Sequence, residues 1–433
     1  MIYNSEYETM AREDLKQLQI ERLQAVLYRV YRNVTFYREA FDRLDLDIDD
    51  VKDLKDLSRL PFTTKEDLKK AYPYNMFAVP LRDIVRLHTT SGTTGKPLVV
   101  GYTRNDLRSW ASLVARVLSA VDIGPDDFIQ IAFPYTLTTG GLGFHYGAER
   151  IGASVIPASS SDIRRQAVIM RDYKSTALVS TPGYALHLAS ILKDMDLHPE
   201  ELSLKTGLFG SEPWSDRLRE QIETELHITA YDNYGLTEIM GPGVAFESIE
   251  RDGLFISEDH FIPEIIDPET RAPLPFGERG ELVLTTITKE GFPLIRFRTG
   301  DITSLTDEPG ASGRSFCRMK RVSGRTDDMI IVEGVNCFPS QIEEILVDVE
   351  GVEPHYLLIL DREDGIDKLE VQVEMGEKVF SDEAKVLEKL RNRLEEAIRT
   401  GIGIEAKVTL KEPKEIERSE GGKLKHLIDK REL

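Results

Sequence analysis

The sequence predicts an α/β protein in two parts: a large N-terminal α/β domain that includes a β-rich subdomain, and a small C-terminal α+β domain. Three observations carry this expectation. The middle of the chain alternates short apolar runs with helical patterns, the signature of a parallel sheet covered by helices. Beyond about residue 253 the helical periodicity gives way to strand-like runs punctuated by Pro and Gly. Residues 328–433 then carry strand and helix patterns sufficient for a core of their own. A length of 433 residues also exceeds that of an ordinary single domain. The expected domains are 1–326 and 327–433.

Taken in order, Leu15, Leu18, Ile20, Leu23, Val26, Leu27, Val30 and Tyr31 recur at spacings of three and four, which predicts a helix over residues 6–43. In PFTTKEDLKKAY, Thr63 or Thr64 is a helix N-cap with acids in the first turn, so a helix begins near Lys65. Residues 128–133 are a short apolar strand, followed by a Gly-rich turn and a helical stretch at 144–151. Strands at 155–157 and 177–180 flank a helical pattern at 163–173. The β-rich part contains 254–256, 264–266, 281–286 and 294–298. The last part reads strand, helix (339–349), strand (355–360), strand (368–374), helix (382–399) and strand (404–410).

Composition excludes several function classes. With 55 basic and 75 acidic residues the net charge is −20, and no Lys/Arg run makes a local basic patch. Nucleic acids and anionic membranes are therefore not expected partners. No apolar run approaches the roughly 20 residues of a membrane span. The start, MIYNSEYETM, lacks a basic and an apolar signal region, so a cytoplasmic location is expected. The two cysteines, Cys317 and Cys337, form no CxxC, which excludes a disulfide scaffold and a cysteine-rich zinc module.

The densest chemical signal is His88-Thr-Thr-Ser-Gly-Thr-Thr-Gly-Lys-Pro97. Glycines let backbone N–H groups turn toward an anion, hydroxyls add donors, and the lysine adds charge: a phosphate cradle. It is not a Walker A loop, because Pro97 follows the lysine where Ser or Thr is required. Asp232-Asn-Tyr-Gly-Leu-Thr-Glu238 pairs an aromatic that can stack on a base with a hydroxyl for phosphate and a carboxylate for Mg²⁺. Arg296-Phe-Arg-Thr-Gly-Asp301 offers a carboxylate suited to a ribose diol. Gly324-Arg-Thr-Asp-Asp328 leads into MIIVEGVNCFPSQIEE, and Arg418-Ser-Glu-Gly-Gly-Lys423 sets a lysine on a Gly-rich loop. Singly, each of these also suits an ordinary loop or a solvated side chain.

Together and in this order they resemble the adenylate-forming superfamily, and within it the phenylacetate–CoA ligase family. The likeness rests on TTSGTTGKPLVVGYT, GGLGFHYGAERIGA, STPGYAL, LFGSEPWS, NYGLTEIMGPGVAFE, ISEDHF, GELVLTT, FPLIRFRTGDI, GRTDDMIIVEGVNCFPSQIEE and RSEGGK, and it spans essentially the whole chain. The resemblance implies a two-step reaction. A carboxylate attacks the α-phosphate of ATP to give an acyl-adenylate and pyrophosphate; the small domain then swings, and coenzyme A displaces AMP. It further implies that Thr89, Thr90, Ser91, Gly92, Thr93, Thr94, Gly95 and Lys96 wrap the phosphates. Ser211, Glu212, Pro213, Asn233, Tyr234 and Gly235 frame the adenine. Thr237 approaches the α-phosphate, Glu238 holds Mg²⁺, Asp301 binds the ribose, Arg325 contacts the nucleotide and Asp327 is the hinge. Lys423 bridges carboxylate and α-phosphate. Tyr135, Thr138, Gly140, Gly241 and Pro242 belong to the acyl pocket, and Gly334 and Val335 to the coenzyme A side. The expected partner is a small aryl carboxylic acid. The expected cosubstrates and cofactor are ATP, coenzyme A and Mg²⁺, and the expected assembly is a homodimer.

Three departures qualify the likeness. RSEGGK has one glycine more than the family's usual RSEGK, leaving Lys425 as the alternative to Lys423. Where many relatives carry zinc ligands, this chain has Ser248, Phe255, Gly310 and Ser312, so no zinc is expected. Thr138 stands where relatives have an aromatic before TGG, implying a roomier, more polar pocket. Two other readings are an adenylating enzyme that loads a carrier-protein thiol, and a nucleotide-binding protein that has lost catalysis. The second requires loss of Lys423, Glu238 or Asp301, and all three are present.

Overall fold

The computed structural model describes residues 1–90, 97–160, 162–326, 330–332, 335–349, 351–363, 366–376, 384–413, 415–416 and 427–431. The chain forms two compact units: Met1–Ser211 with Ile222–Arg321, and Glu212–Gln221 with Val322–Leu433. Among the described residues no helix is long and apolar enough to cross a membrane.

In the first unit, β1 (Arg86–Thr89) and β2 (Val99–Tyr102) pair as an antiparallel ribbon, with His88 opposite Val100. The main sheet contains β3 (Phe128–Ile131), β4 (Ser154–Ile156), β5 (Ala177–Ser180), β6 (Thr206–Gly210), β7 (Thr229–Leu236), β8 (Gly241–Phe246) and β9 (Leu254–Ile256). It continues with β10 (Phe261–Ile266), β11 (Pro273–Leu274), β12 (Arg279–Thr286), β13 (Phe297–Thr306) and β14 (Arg318–Met319). Its order is β11-β10-β12-β13-β14-β9-β8-β7-β6-β5-β3-β4. Strands β4, β3, β5, β6 and β7 run parallel, and the rest of the sheet is antiparallel. Every residue of β5 and β8 is buried, which is why both read as apolar runs rather than alternating ones. Parallel strands end along one edge, where ligands of α/β sheets bind. The loops after β3, β5, β6 and β7 lie on that edge.

Two expectations change. The single helix over 6–43 is three helices, Ser5–Glu8, Arg12–Asn33 and Thr35–Arg43, because Ala11 (φ −58°, ψ 143°) and Val34 (φ −117°, ψ 106°) leave the helical region. The helix expected at 144–151 starts earlier and spans Gly140–Ile151. Its glycines do not make a turn; they let the helix approach its neighbour. A Cβ on Gly143 would stand 2.6 Å from both Pro242 and the Trp110 ring, on helix Arg104–Ala120. The helix near Lys65 forms as expected, with Thr64 and Asp67 completing a capping box.

A buried charge cluster ties the N-terminal segment to the β-rich part. Arg116 forks onto Asp259 at 2.8 and 2.9 Å, and Arg314 Nε donates to Glu8 at 2.7 Å. Beside it His260 Nδ1 lies 2.6 Å from the Thr288 hydroxyl. Burial pushes the His260 imidazole down to about 4, opposed by the neighbouring Asp259 carboxylate.

The second unit contains a four-stranded sheet in the order Ala406–Lys411, Ile366–Met375, Val352–Glu363, Leu427–Asp429. The central pair is antiparallel and both edge strands are parallel to their neighbours. Helices Pro339–Asp348 and Ala384–Ile402 accompany it, and Leu346, Leu358, Val371, Leu394 and Ile398 form its core. The predicted pattern of this part is present. The edge strand Leu427–Asp429 was not anticipated, since three residues carry no readable periodicity.

Candidate active site

The end of β7 and the turn after it hold the first group of candidate residues. Asn233 Nδ2 donates to the Phe209 carbonyl of β6 at 2.7 Å, which fixes its side chain across the parallel pair. One residue on, the Tyr234 hydroxyl donates to Asp301 Oδ2 at 2.5 Å. Asp301, on β13, is only 2% exposed, and its N–H donates to the Thr299 hydroxyl at 3.0 Å. Two motifs far apart in sequence thus meet through one hydrogen bond. A Cβ on Gly235 would lie 2.1 Å from the Gly241 carbonyl oxygen, so only glycine allows β7 and β8 to close this tightly. The pinch forces residues 237–240 into a compact turn, in which the Ile239 and Met240 N–H groups both donate to Leu236.

That turn carries Thr237 and Glu238. The Thr237 hydroxyl is 3.2 Å from the hydroxyl of Thr139, which links the turn to the loop after β3. Glu238 is 7% exposed, yet among the described residues its carboxylate accepts no hydrogen bond and forms no ion pair. A carboxylate so placed can ligate a cation. Beneath the turn, burial pushes the Lys289 ammonium down to about 7, against the Asp106 and Glu238 carboxylates.

The loop after β3 brings the expected acyl-pocket residues together. The Tyr135 hydroxyl lies 3.2 Å from His145 Nδ1, and burial raises its pKa above the ordinary phenol value. His145 Nε2 is in turn 3.3 Å from Glu149. Thr138 faces Thr136 at 3.3 Å between hydroxyls, and Gly140 opens the following helix. Across from this loop, the Pro242 carbonyl accepts from Trp110 Nε1 at 3.0 Å, and Gly241 packs on the same indole. The Leu137 carbonyl lies 2.8 Å from the Thr89 N–H and 3.0 Å from His88 Nδ1, which joins this loop to the ribbon. Thr90 closes the base of the Gly-rich loop: its hydroxyl accepts from the Leu98 N–H at 3.1 Å.

Not every expected residue joins this group. Ser91, Gly92, Thr93, Thr94, Gly95, Lys96, Asp327, Gly334, Lys423 and Lys425 lie outside the described residues. Ser211 ends the first unit's leading segment, with φ +72°, whereas Glu212, Pro213 and Arg325 cluster with the second unit. Val335 begins a strand whose backbone pairs it with Val332. Among Ser248, Phe255, Gly310 and Ser312, the Phe255 ring stands 3.0 Å from where a Gly310 side chain would begin. Sequence reasoning missed Thr139, Trp110 and Lys289. The TTGG run flags Thr139, but a lone tryptophan in a helix and a lone lysine in ITKEG carry no signal.

A tyrosine paired with a buried carboxylate, beside a turn that carries Thr237 and Glu238 at the end of the parallel strands, defines the candidate site. The AMP-binding enzyme family matches residues 13–288, and the AMP-binding enzyme C-terminal domain matches residues 334–431. The chain belongs to the AMP-binding enzymes. It is 44% identical to a phenylacetate–coenzyme A ligase of Thermus thermophilus over 100% of both chains. It is 47% identical to one of Escherichia coli K12, over 96% of this chain and 94% of that one. Within the AMP-binding enzymes, it belongs to the phenylacetate–coenzyme A ligase family. It also resembles the solved structure of a 2-hydroxyisobutyryl-CoA ligase in the postadenylation state with 2-HIB-AMP, at TM-score 0.92 and 29% identity over 98% of this chain and 92% of that one. The same ligase has been solved with 2-HIB-AMP and CoA in the thioesterification state, which this chain matches at TM-score 0.72 and 30% identity, over 99% of this chain and 92% of that one.

Proposed function

We propose that this chain is an AMP-forming aryl-acid–coenzyme A ligase, converting ATP, an aryl carboxylate of the phenylacetate type and coenzyme A into acyl-CoA, AMP and diphosphate. The observation that carries this reading is the meeting of Tyr234 with Asp301 beside the Thr237–Glu238 turn, in a chain of this family. A carboxylate at neutral pH is already the nucleophile, so adenylation needs no general base. What it needs is positioning, and neutralisation of charge that develops on the α-phosphate.

The residues divide that work. Asn233, Tyr234, Gly235 and Ser211–Pro213 seat the adenine, and Asp301 accepts the ribose hydroxyls. Thr89–Lys96 wraps the phosphates, and Thr237 donates toward the α-phosphate. Arg325 holds the nucleotide, and Lys423 bridges the attacking carboxylate and the phosphoryl oxygens. Glu238, whose carboxylate lacks donors among the described residues, would hold Mg²⁺, which supplies charge neutralisation on the phosphates. Tyr135, Thr138, Gly140, Gly241 and Pro242 shape the acyl pocket. The small domain, hinged at Asp327, then rotates so that the thiol, guided by Gly334 and Val335, replaces Lys423 at the same carbonyl.

No zinc belongs to this scheme, because Ser248, Phe255, Gly310 and Ser312 offer no soft ligand; one zinc per chain by elemental analysis would contradict that. The enzyme works in the cytoplasm as a homodimer, and a monomeric mass by sedimentation would refute the dimer. The main test is ATP–pyrophosphate exchange across a panel of aryl and short aliphatic acids. Exchange that depends on an aryl acid is expected; exchange with no acid, or none at all, contradicts the reading.

A further inference from the structure

Under the turn that carries Thr237 and Glu238 sits a buried ammonium. Lys289, shortly after β12, is 1% exposed. Its Nζ donates to the Ile239 carbonyl at 2.7 Å and lies 3.4 Å from that of Glu238. The same Nζ stands 4.5 Å above the Tyr102 ring centre and 5.6 Å from that of Phe292. Tyr102 also holds the turn: its hydroxyl donates to the Met240 carbonyl at 2.9 Å and lies 3.5 Å from that of Thr237. Two touching side chains therefore face all four carbonyls of residues 237–240. Asp106 fixes the backbone next to Lys289, accepting from the N–H groups of Glu290 at 2.7 Å and Gly291 at 2.9 Å.

Burying a lysine is costly, and an apolar side chain of similar length fills the same volume without that cost. What the ammonium adds is directed donors. Its hydrogen bonds run to main-chain carbonyls, including that of the residue whose side chain must face the nucleotide. If those carbonyls lost their partners, the peptide planes at 238–239 would rotate to find others, and the Glu238 Cα–Cβ direction would turn with them. We propose that Lys289 is a positioning residue for adenylation, which acts through the main chain of Glu238 and Ile239 to hold Thr237 and Glu238 facing the nucleotide. The proposal rests on the nucleotide role given above to that turn.

The test measures AMP binding by calorimetry in EDTA, alongside ATP–pyrophosphate exchange. Lys289→Met should weaken AMP binding and lower exchange kcat by roughly tenfold or more each, as expected for loss of charge-assisted bonds. Lys289→Arg, which keeps charge and donors, should recover a large part of both. A role confined to stability changes the folded fraction and leaves the AMP Kd and the KM for ATP of the folded protein at wild-type values; that result overturns the proposal. If Lys289→Met does not fold, Tyr102→Phe takes its place by removing the second donor to the turn, and an unchanged AMP Kd there overturns it equally. A wild-type protein that binds no AMP refutes the functional reading itself.

Discussion

Replacing Tyr234 by Phe removes one oxygen and keeps the ring proposed to face the adenine. In the native chain that oxygen donates to Asp301 Oδ2 at 2.5 Å, and Asp301 is only 2% exposed. A hydrogen bond to a charged group contributes about 1.5–3 kcal/mol, more than a neutral one. At about 1.4 kcal/mol per factor of ten, the loss corresponds to roughly 10- to 150-fold. The loss falls on the carboxylate proposed to receive the ribose, so kcat/KM for ATP in pyrophosphate exchange should drop by that factor. The KM for phenylacetate should stay within about twofold, because Tyr135 and Thr138 lie on a different loop. Thermal unfolding of the variant checks that the fold survives. A kcat/KM for ATP within twofold of wild type, or an equal penalty on the acid, refutes the pairing of Tyr234 with Asp301 as the ribose-orienting device.

Three further outcomes are expected. Lys423→Ala should abolish adenylation while sparing thioester formation from supplied acyl-adenylate; normal adenylation in Lys423→Ala and loss in Lys425→Ala would move the catalytic role to Lys425. Asp327→Pro, by fixing φ and removing an N–H at the proposed hinge, should retain pyrophosphate exchange and lower thioester production by roughly tenfold or more; both half-reactions undiminished would place the pivot elsewhere. Folding stability should decline as pH falls from about 6.5 toward 4, because the unfolded chain protonates His260 in that window and the folded chain does not. Denaturant titrations at stepped pH should show His260→Asn with a shallower decline, and an identical decline contradicts a neutral buried imidazole.

Much of the fold was legible because helix and strand periods differ visibly: the alternation over 128–180 implies parallel strands with helical crossovers, and the structure has them. The failures have local causes. The apolar spacing across residues 30–41 continues through Val34, so nothing in the pattern marks the break that its extended backbone makes. Glycines 140, 141 and 143 suggest a turn, whereas Gly143 serves a helix crowded by Trp110 and Pro242. In the site, Tyr234 and Asp301 were each readable as nucleotide residues, but their direct bond is a tertiary fact. Lys289 was illegible because a lysine between Thr288 and Glu290 looks solvated; burial follows only once β12 and the Tyr102 strand meet.

The central claim is tested most directly by product analysis. Purified protein is incubated with phenylacetate, ATP, Mg²⁺ and coenzyme A, and nucleotides and thioesters are quantified together. The account predicts phenylacetyl-CoA, AMP and diphosphate in equal amounts, with AMP formation dependent on the acid. Formation of ADP and orthophosphate instead would contradict it, as would acid-dependent AMP with no thioester unless a carrier-protein thiol is supplied.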